Sequence, residues 1–280
     1  MNKRIITNEI LNNFKNNLLL QEKATATIDK YVRDVKIFMN YVGDREINKE
    51  IVMNYKEYLK NNRTVRSINS MLASINNLFN YLGWNDLKIK SLKIQQQLFC
   101  DEKKELTKEE YFRLCNAAKR NNNERLNLIL QTICSTGIRV SELDYITVEA
   151  VKRGEAVVSL KGKTRTILIV NDLKKKLLSY ATKKNIISGM IFITKTGKPL
   201  SRTNIWREMK AICEEANVNQ QKVFPHNLRH LFARIFYGIE KDIAKLADIL
   251  GHSSINTTRI YIISTGQEHR KKMESMHLII

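Results

Sequence analysis

Residues 28–42 read IDKYVRDVKIFMNYV, and their apolar members Ile28, Tyr31, Val32, Val35, Phe38, Met39 and Val42 recur at i, i+3, i+4, i+7, i+10, i+11 and i+14. That spacing lays one apolar stripe along a helix, with Thr25 and Thr27 as N-caps and Gly43 as its stop. Downstream the period returns at Ile51, Val52, Tyr55, Tyr58 and Leu59, then at Val65, Ile68, Met71, Leu72, Ile75, Leu78, Phe79 and Leu82 before Gly83. Upstream, Ile10, Leu11, Phe14 and Leu18 make a fourth stripe. Four such stripes bury themselves only against each other, which predicts a four-helix domain over residues 1–97.

A polar stretch at about 95–105 then breaks the period and reads as the connection to a second domain, 98–280. Thr107 and Glu110 form a capping box opening a helix that carries Tyr111 and Leu114. Residues 126–133 are apolar on most faces, as in a buried helix. The β-prone runs 156–160 and 166–170 flank a turn, KGKTR, and predict a hairpin; residues 190–193 read as a third strand. From Thr203 onward the pattern is helical. The expected fold class is mainly α with a small β-sheet, a four-helix domain followed by a mixed α+β domain.

Charge points to the partner. The 280 residues hold 48 Lys and Arg against 28 Asp and Glu, a net charge of +20. The excess is shared, 16 to 9 before residue 98 and 32 to 19 after it. A polyanion met by the whole chain fits this better than a basic tail on a neutral domain. No apolar run of about 18 residues predicts a membrane span, and the N-terminus has no long apolar core of a secretion signal. The four cysteines, Cys100, Cys115, Cys134 and Cys213, are scattered without a C-x-x-C pair, as reduced thiols in a cytoplasmic protein are. With no phosphate-binding glycine loop and no metal-ligand spacing, no cofactor and no metal are expected.

Four separated pieces carry the chemistry: TGIRVSEL (136–143), LKGKTR (160–165), HNLRH (226–230) and LGHSSINTTRIY (250–261). Each alone is ordinary; an i,i+3 pair such as His226 and Arg229 is usually a surface feature. Their order in one chain is not ordinary. Together the motifs resemble those of the tyrosine recombinases of the phage-integrase type, over nearly the whole chain, and the two-domain layout is similar to the simpler Xer-like members.

That resemblance implies a SAM-like, DNA-binding core-binding domain and a catalytic domain in which Tyr261 is the nucleophile and Arg139, Lys161, His226, Arg229 and His252 assist. It implies a 3′-phosphotyrosine intermediate, which conserves the bond energy so that a free 5′-hydroxyl can reverse the step. Two arginine forks suit the charge gathering on the phosphate, His226 the tyrosine proton, and a hairpin lysine the departing 5′-oxygen. Glu142 is the accessory residue expected to hold Arg139 or a neighbouring histidine. The hairpin is one residue shorter than commoner family hairpins; a gap places Lys161 at the catalytic position, with Lys163 as the alternative. Arg63, Arg66 and Asn69, with Arg202, Asn204, Arg207 and Lys210, form two polar-basic sets suited to duplex DNA.

The implied partners are double-stranded DNA with paired half-sites and three further copies of the chain, in a homotetramer on DNA, with no membrane and a cytoplasmic, nucleoid-associated location. The apolar tail, residues 267–280, is expected to dock in such an assembly. Integration of a mobile element is one version of the activity. A catalytically silent DNA-binding regulator and a type IB topoisomerase-like relaxation stand as alternatives.

Overall fold

The computed structural model describes residues 3–94, 102–160, 163–194, 196–262 and 273–276. The chain divides into two compact units, residues 1–96 and 97–280. Among the described residues no helix is long and apolar enough to cross a membrane.

The first unit is built from α1 (Asn8–Leu20), α2 (Thr25–Val42), α3 (Lys49–Asn62) and α4 (Val65–Tyr81). Thr7, Asn48 and Thr64 cap α1, α3 and α4 through their side chains, each satisfying an orphan N–H of the first turn. The predicted stripes close on each other: Phe14, Leu18, Phe38, Tyr55, Leu72, Ile75 and Phe79 are buried, with Phe38 4.9 Å from Tyr55 and 6.0 Å from Phe79 between ring centroids. Tyr58, expected in this core, is half exposed at its edge. One charge is buried inside: Asp34 accepts from Lys30 and from Ser74, both at 2.8 Å.

Residues 88–92 are strapped along α4 by two asparagines. Asn76 bonds both the carbonyl and the N–H of Ile89, at 2.9 and 3.1 Å, and Asn69 does the same for Leu92, at 2.8 and 2.7 Å. Asn69 is one of the residues that the sequence reading assigns to DNA. Its carboxamide is engaged at both ends by backbone, so it braces the segment that leaves the unit. No periodicity in the sequence carries such a pairing.

The second unit opens with α5 (Lys108–Arg120), whose capping box of Thr107 and Glu110 is present, and α6 (Glu124–Thr136), apolar on most faces and central to the core. After a 3-10 segment, Val140–Tyr145, and α7 (Val148–Arg153), an antiparallel hairpin pairs β1 (Glu155–Leu160) with β2 (Lys163–Leu168). The expected turn, KGKTR, is shorter in fact. Leu160 pairs directly with Lys163, so Lys163, Thr164 and Arg165 belong to the strand. The expected third strand at 190–193 does not form. Met190 bridges Thr147 and Ile193 bridges Pro199, two different partners, so no ladder develops.

Then follow α8 (Asn171–Lys183), α9 (Arg202–Ala211), α10 (Pro225–Glu240), α11 (Ile243–Leu250) and α12 (Ile255–Arg259). Pro225 opens α10 at a position that needs no N–H. Of the apolar tail, 273–276 is described, with Met273 and Met276 exposed; the rest of 267–280 lies outside the described residues.

Candidate active site

Gly137 ends α6 in the left-handed region, at φ +64°, and a Cβ there would fall 2.5 Å from the Phe232 ring. Only glycine suits both demands. This turn delivers Arg139. Glu142 closes back on Arg139: its Oε2 accepts from the Arg139 N–H at 2.9 Å, and its Oε1 from Arg139 Nη1 at 2.8 Å. Glu142 is 2% exposed. Burial raises its pKa, but the Arg139 backbone and side chain, with Arg165 beyond, outweigh it and hold the carboxyl below the usual range. The expected accessory role of Glu142 has this geometry.

One turn into α10, Arg229 is buried, at 1% exposed. Its Nη1 donates to the Gly137 carbonyl, and its Nη2 to the Leu250 carbonyl at 2.6 Å and to His252 Nε2 at 3.1 Å. Burial and then the charge of Arg139 lower its pKa to about 10, which still leaves it charged at neutral pH. Because a guanidinium only donates, His252 Nε2 accepts here; the proton of a neutral His252 then sits on Nδ1, 2.8 Å from Thr258 Oγ1.

Tyr261 follows α12 and is 6% exposed. Its ring packs among three imidazoles, with centroids 4.2 Å from His230, 5.2 Å from His252 and 5.4 Å from His226, and its hydroxyl is 3.5 Å from His226 Nε2. Partial burial, then the charges of His230, Arg229, Arg139 and Arg202, bring His226 down to about 4; burial, Arg229 and Arg139 do the same to His252. Both imidazoles are therefore neutral at pH 7.

A consequence for stability follows by linkage. The unfolded chain protonates these histidines near about 6.5, whereas the folded values lie near 4. The unfolded state thus binds more protons between the two, so stability is full above about pH 6.5 and is lost as the pH falls towards 4. The melting temperature of the free protein is expected to fall from pH 7 to pH 5, and the fall to shrink in a His226→Asn/His252→Asn double variant. An identical fall in both proteins contradicts the assignment.

The structure therefore brings together Arg139, Glu142, His226, Arg229, His252 and Tyr261. Lys161 lies outside the described residues, and the alternative, Lys163, is the first residue of β2. Arg63 and Arg66 are exposed beside the start of α4. On α9, Arg202 and Arg207 are exposed, Arg207 donating to Asn204 at 3.2 Å, while Lys210 reaches the Gln220 carbonyl and stacks 5.2 Å over Trp206.

Sequence reasoning missed three groups. Thr258 sits in the last motif but was unassigned. His230 is one helical turn from His226; its Nδ1 lies 3.7 Å from Glu105, which also pairs Arg234 at 3.5 Å. Spacing by four on α10 is the signal that finds it. Arg165 was read as part of a turn; its alternation with the buried Ile167 is the signal for an inward strand residue.

The phage integrase family matches residues 104–268, and the phage integrase N-terminal SAM-like domain matches residues 11–86. The chain is 28% identical, over 97% of its length and 96% of the relative, to the tyrosine recombinase XerA of Thermococcus kodakarensis. It is 35% identical to the tyrosine recombinase XerH of Campylobacter jejuni over 52% of this chain and 43% of that protein. Its fold is similar to the XerA recombinase crystal structure, at 24% identity, TM-score 0.55 and coverage of 98% of this chain and 100% of that one. A lambda integrase dimer bound to a core site is similar at 16% identity, TM-score 0.75 and coverage of 93% and 96%.

Proposed function

The chain belongs to the phage integrase family, and we propose that it breaks and rejoins duplex DNA at specific sites through a 3′-phosphotyrosine on Tyr261. The observation that carries this reading is the placement of Tyr261, its hydroxyl beside a neutral His226 and its ring packed on His252, which in turn accepts from the buried Arg229. His226 takes the phenolic proton as the Tyr261 oxygen bonds to phosphorus and the bond to the 5′-oxygen breaks. Arg139 and Arg229 stabilise the charge on the non-bridging oxygens. The 5′-oxygen leaves as a hydroxyl with a proton from Lys161, or from Lys163, and the reverse sequence reseals a strand.

His252 has to donate from Nε2 to reach a phosphate oxygen. In the free protein that atom accepts from Arg229. An arriving phosphate competes for Arg229; the imidazole then changes tautomer, Nδ1 losing its proton to solvent and Nε2 gaining one from solvent, and the Thr258 hydroxyl, which can donate or accept, turns from accepting to donating a hydrogen bond to Nδ1. Tyr261 is almost fully covered in the free protein.

Arg63 and Arg66 on the first unit, which we read as the core-binding domain, and Arg202, Asn204, Arg207 and Lys210 on the second, the catalytic domain, are the proposed contacts to the duplex. Two XerH structures of this fold hold their difH substrate, and a lambda integrase tetramer holds a Holliday junction. By analogy the chain is proposed to act on paired half-sites as a homotetramer, with mobile-element integration or resolution of joined chromosomes as its task. Strand cleavage and rejoining are expected to persist in EDTA without ATP, since the proposed chemistry stores its energy in the phosphotyrosine. A strict requirement for a divalent ion in the cleavage assay contradicts the mechanism.

A further inference from the structure

Arg165 joins three parts of the catalytic unit that are far apart in sequence. Its partner across the hairpin is Val158, on the face that also buries Ala156 and Ile167, whereas Thr164 and Thr166 are exposed. From that inner face its Nη2 donates to Glu142 Oε2, and its Nη1 to the Ile249 carbonyl, both at 2.5 Å. Its stem lies on Gly251, where a Cβ would stand 2.3 Å from Arg165 Cδ. Gly251 precedes His252, and Glu142 holds Arg139. The hairpin, the turn behind Arg139 and the end of α11 therefore meet on one side chain, beside a cleft of about 890 Å³ lined by Arg139, Glu142, Thr164, Arg165, Gly251 and His252.

We infer that Arg165 is a positioning residue for strand cleavage, which anchors the hairpin so that its lysine reaches the departing 5′-oxygen. The inference rests on the recombinase reading above. In sequence Lys163 is two residues from the anchor and Lys161 four. Arginine suits the task because its planar fork spans two acceptors lying in different directions; an ammonium is a single point of charge. With Glu142 between Arg139 and Arg165, the anchor also ties the hairpin to the same carboxylate that orients the phosphate-binding arginine.

The substitution that keeps the charge and loses the fork is Arg165→Lys; Arg165→Ala removes both. Single-turnover cleavage is measured on half-site DNA with the normal phosphate and with sulfur replacing the bridging 5′-oxygen, whose thiolate leaves without a proton. Arg165→Lys is expected to cleave the normal substrate about 10²-fold more slowly, the lower end of what a lost general acid costs. On the sulfur substrate it is expected to recover to within a few-fold of the parent protein, alongside whichever of Lys161→Ala and Lys163→Ala is rescued. Half-site affinity and melting temperature are read for each variant, and Arg165→Lys carries the test if Arg165→Ala fails to fold. An equal loss on both substrates, or an undiminished rate on the normal one, overturns the inference. If the parent protein itself cleaves neither substrate, the recombinase reading falls, and this inference with it; if it cleaves both, only the inference is at stake.

Discussion

Tyr261→Phe is expected to abolish strand cleavage and covalent complex formation while half-site affinity stays within about twofold, because binding of this kind is dominated by phosphate contacts that the phenolic oxygen does not make. The substitution removes one oxygen from a ring held by three imidazoles, with centroids at 4.2, 5.2 and 5.4 Å. Phenylalanine keeps that packing, so the side chain stays among Ala233, Leu246 and Leu250. No second tyrosine stands in for it: Tyr237, the other tyrosine of this cluster, is part of the apolar packing on α10. A gel-shift titration and a denaturing gel of trapped adduct check the two halves of the expectation. Undiminished adduct in the variant removes Tyr261 from the nucleophile's place.

The second large effect is at Arg229. Arg229→Lys is expected to lower the cleavage rate by about 10²–10³, the cost of removing one preorganised donor from a developing oxyanion. The retained charge does not rescue it. The guanidinium is held by the carbonyls of Gly137 and Leu250 and by His252 at once, and an ammonium on a different stem cannot serve all three in one plane. Some loss of stability accompanies the change, since a buried charge loses partners. The comparison that isolates the catalytic part is cleavage at saturating DNA against the melting temperature. A variant that melts lower yet cleaves at the full rate contradicts the role.

Much of this was legible in the sequence, and the reason differs from feature to feature. The four stripes of the first unit were read from period alone because amphipathic helices bury one face, and Phe14, Phe38, Tyr55 and Phe79 meet where the period puts them. The catalytic set came from the resemblance of the four motifs, in their order, to those of the tyrosine recombinases. What escaped was long-range and made by side chains that also have a bland local use. Asn69 looked like a groove contact because nothing in sequence marks Leu92, 23 residues on, as its partner. Arg165 looked like turn material because the second strand, read as starting at 166, starts three residues earlier, at Lys163, which turns a supposed loop residue into an inward strand position. His230 was quoted inside its motif yet passed over, since its neighbours Glu105 and Tyr261 arrive from opposite ends of the catalytic unit.

The central claim is a covalent bond between Tyr261 and the 3′-phosphate of a cleaved strand. It is tested most directly by trapping the parent protein on a nicked half-site, from which the short 5′-hydroxyl fragment diffuses away, then digesting the adduct and mapping the nucleotide-bearing peptide by mass spectrometry. The account predicts one modified peptide, containing Tyr261, joined to the 3′-phosphate, and a released fragment ending in a 5′-hydroxyl. A nucleotide on any other residue, a 5′-phosphate linkage, or cleavage with no adduct at all contradicts it.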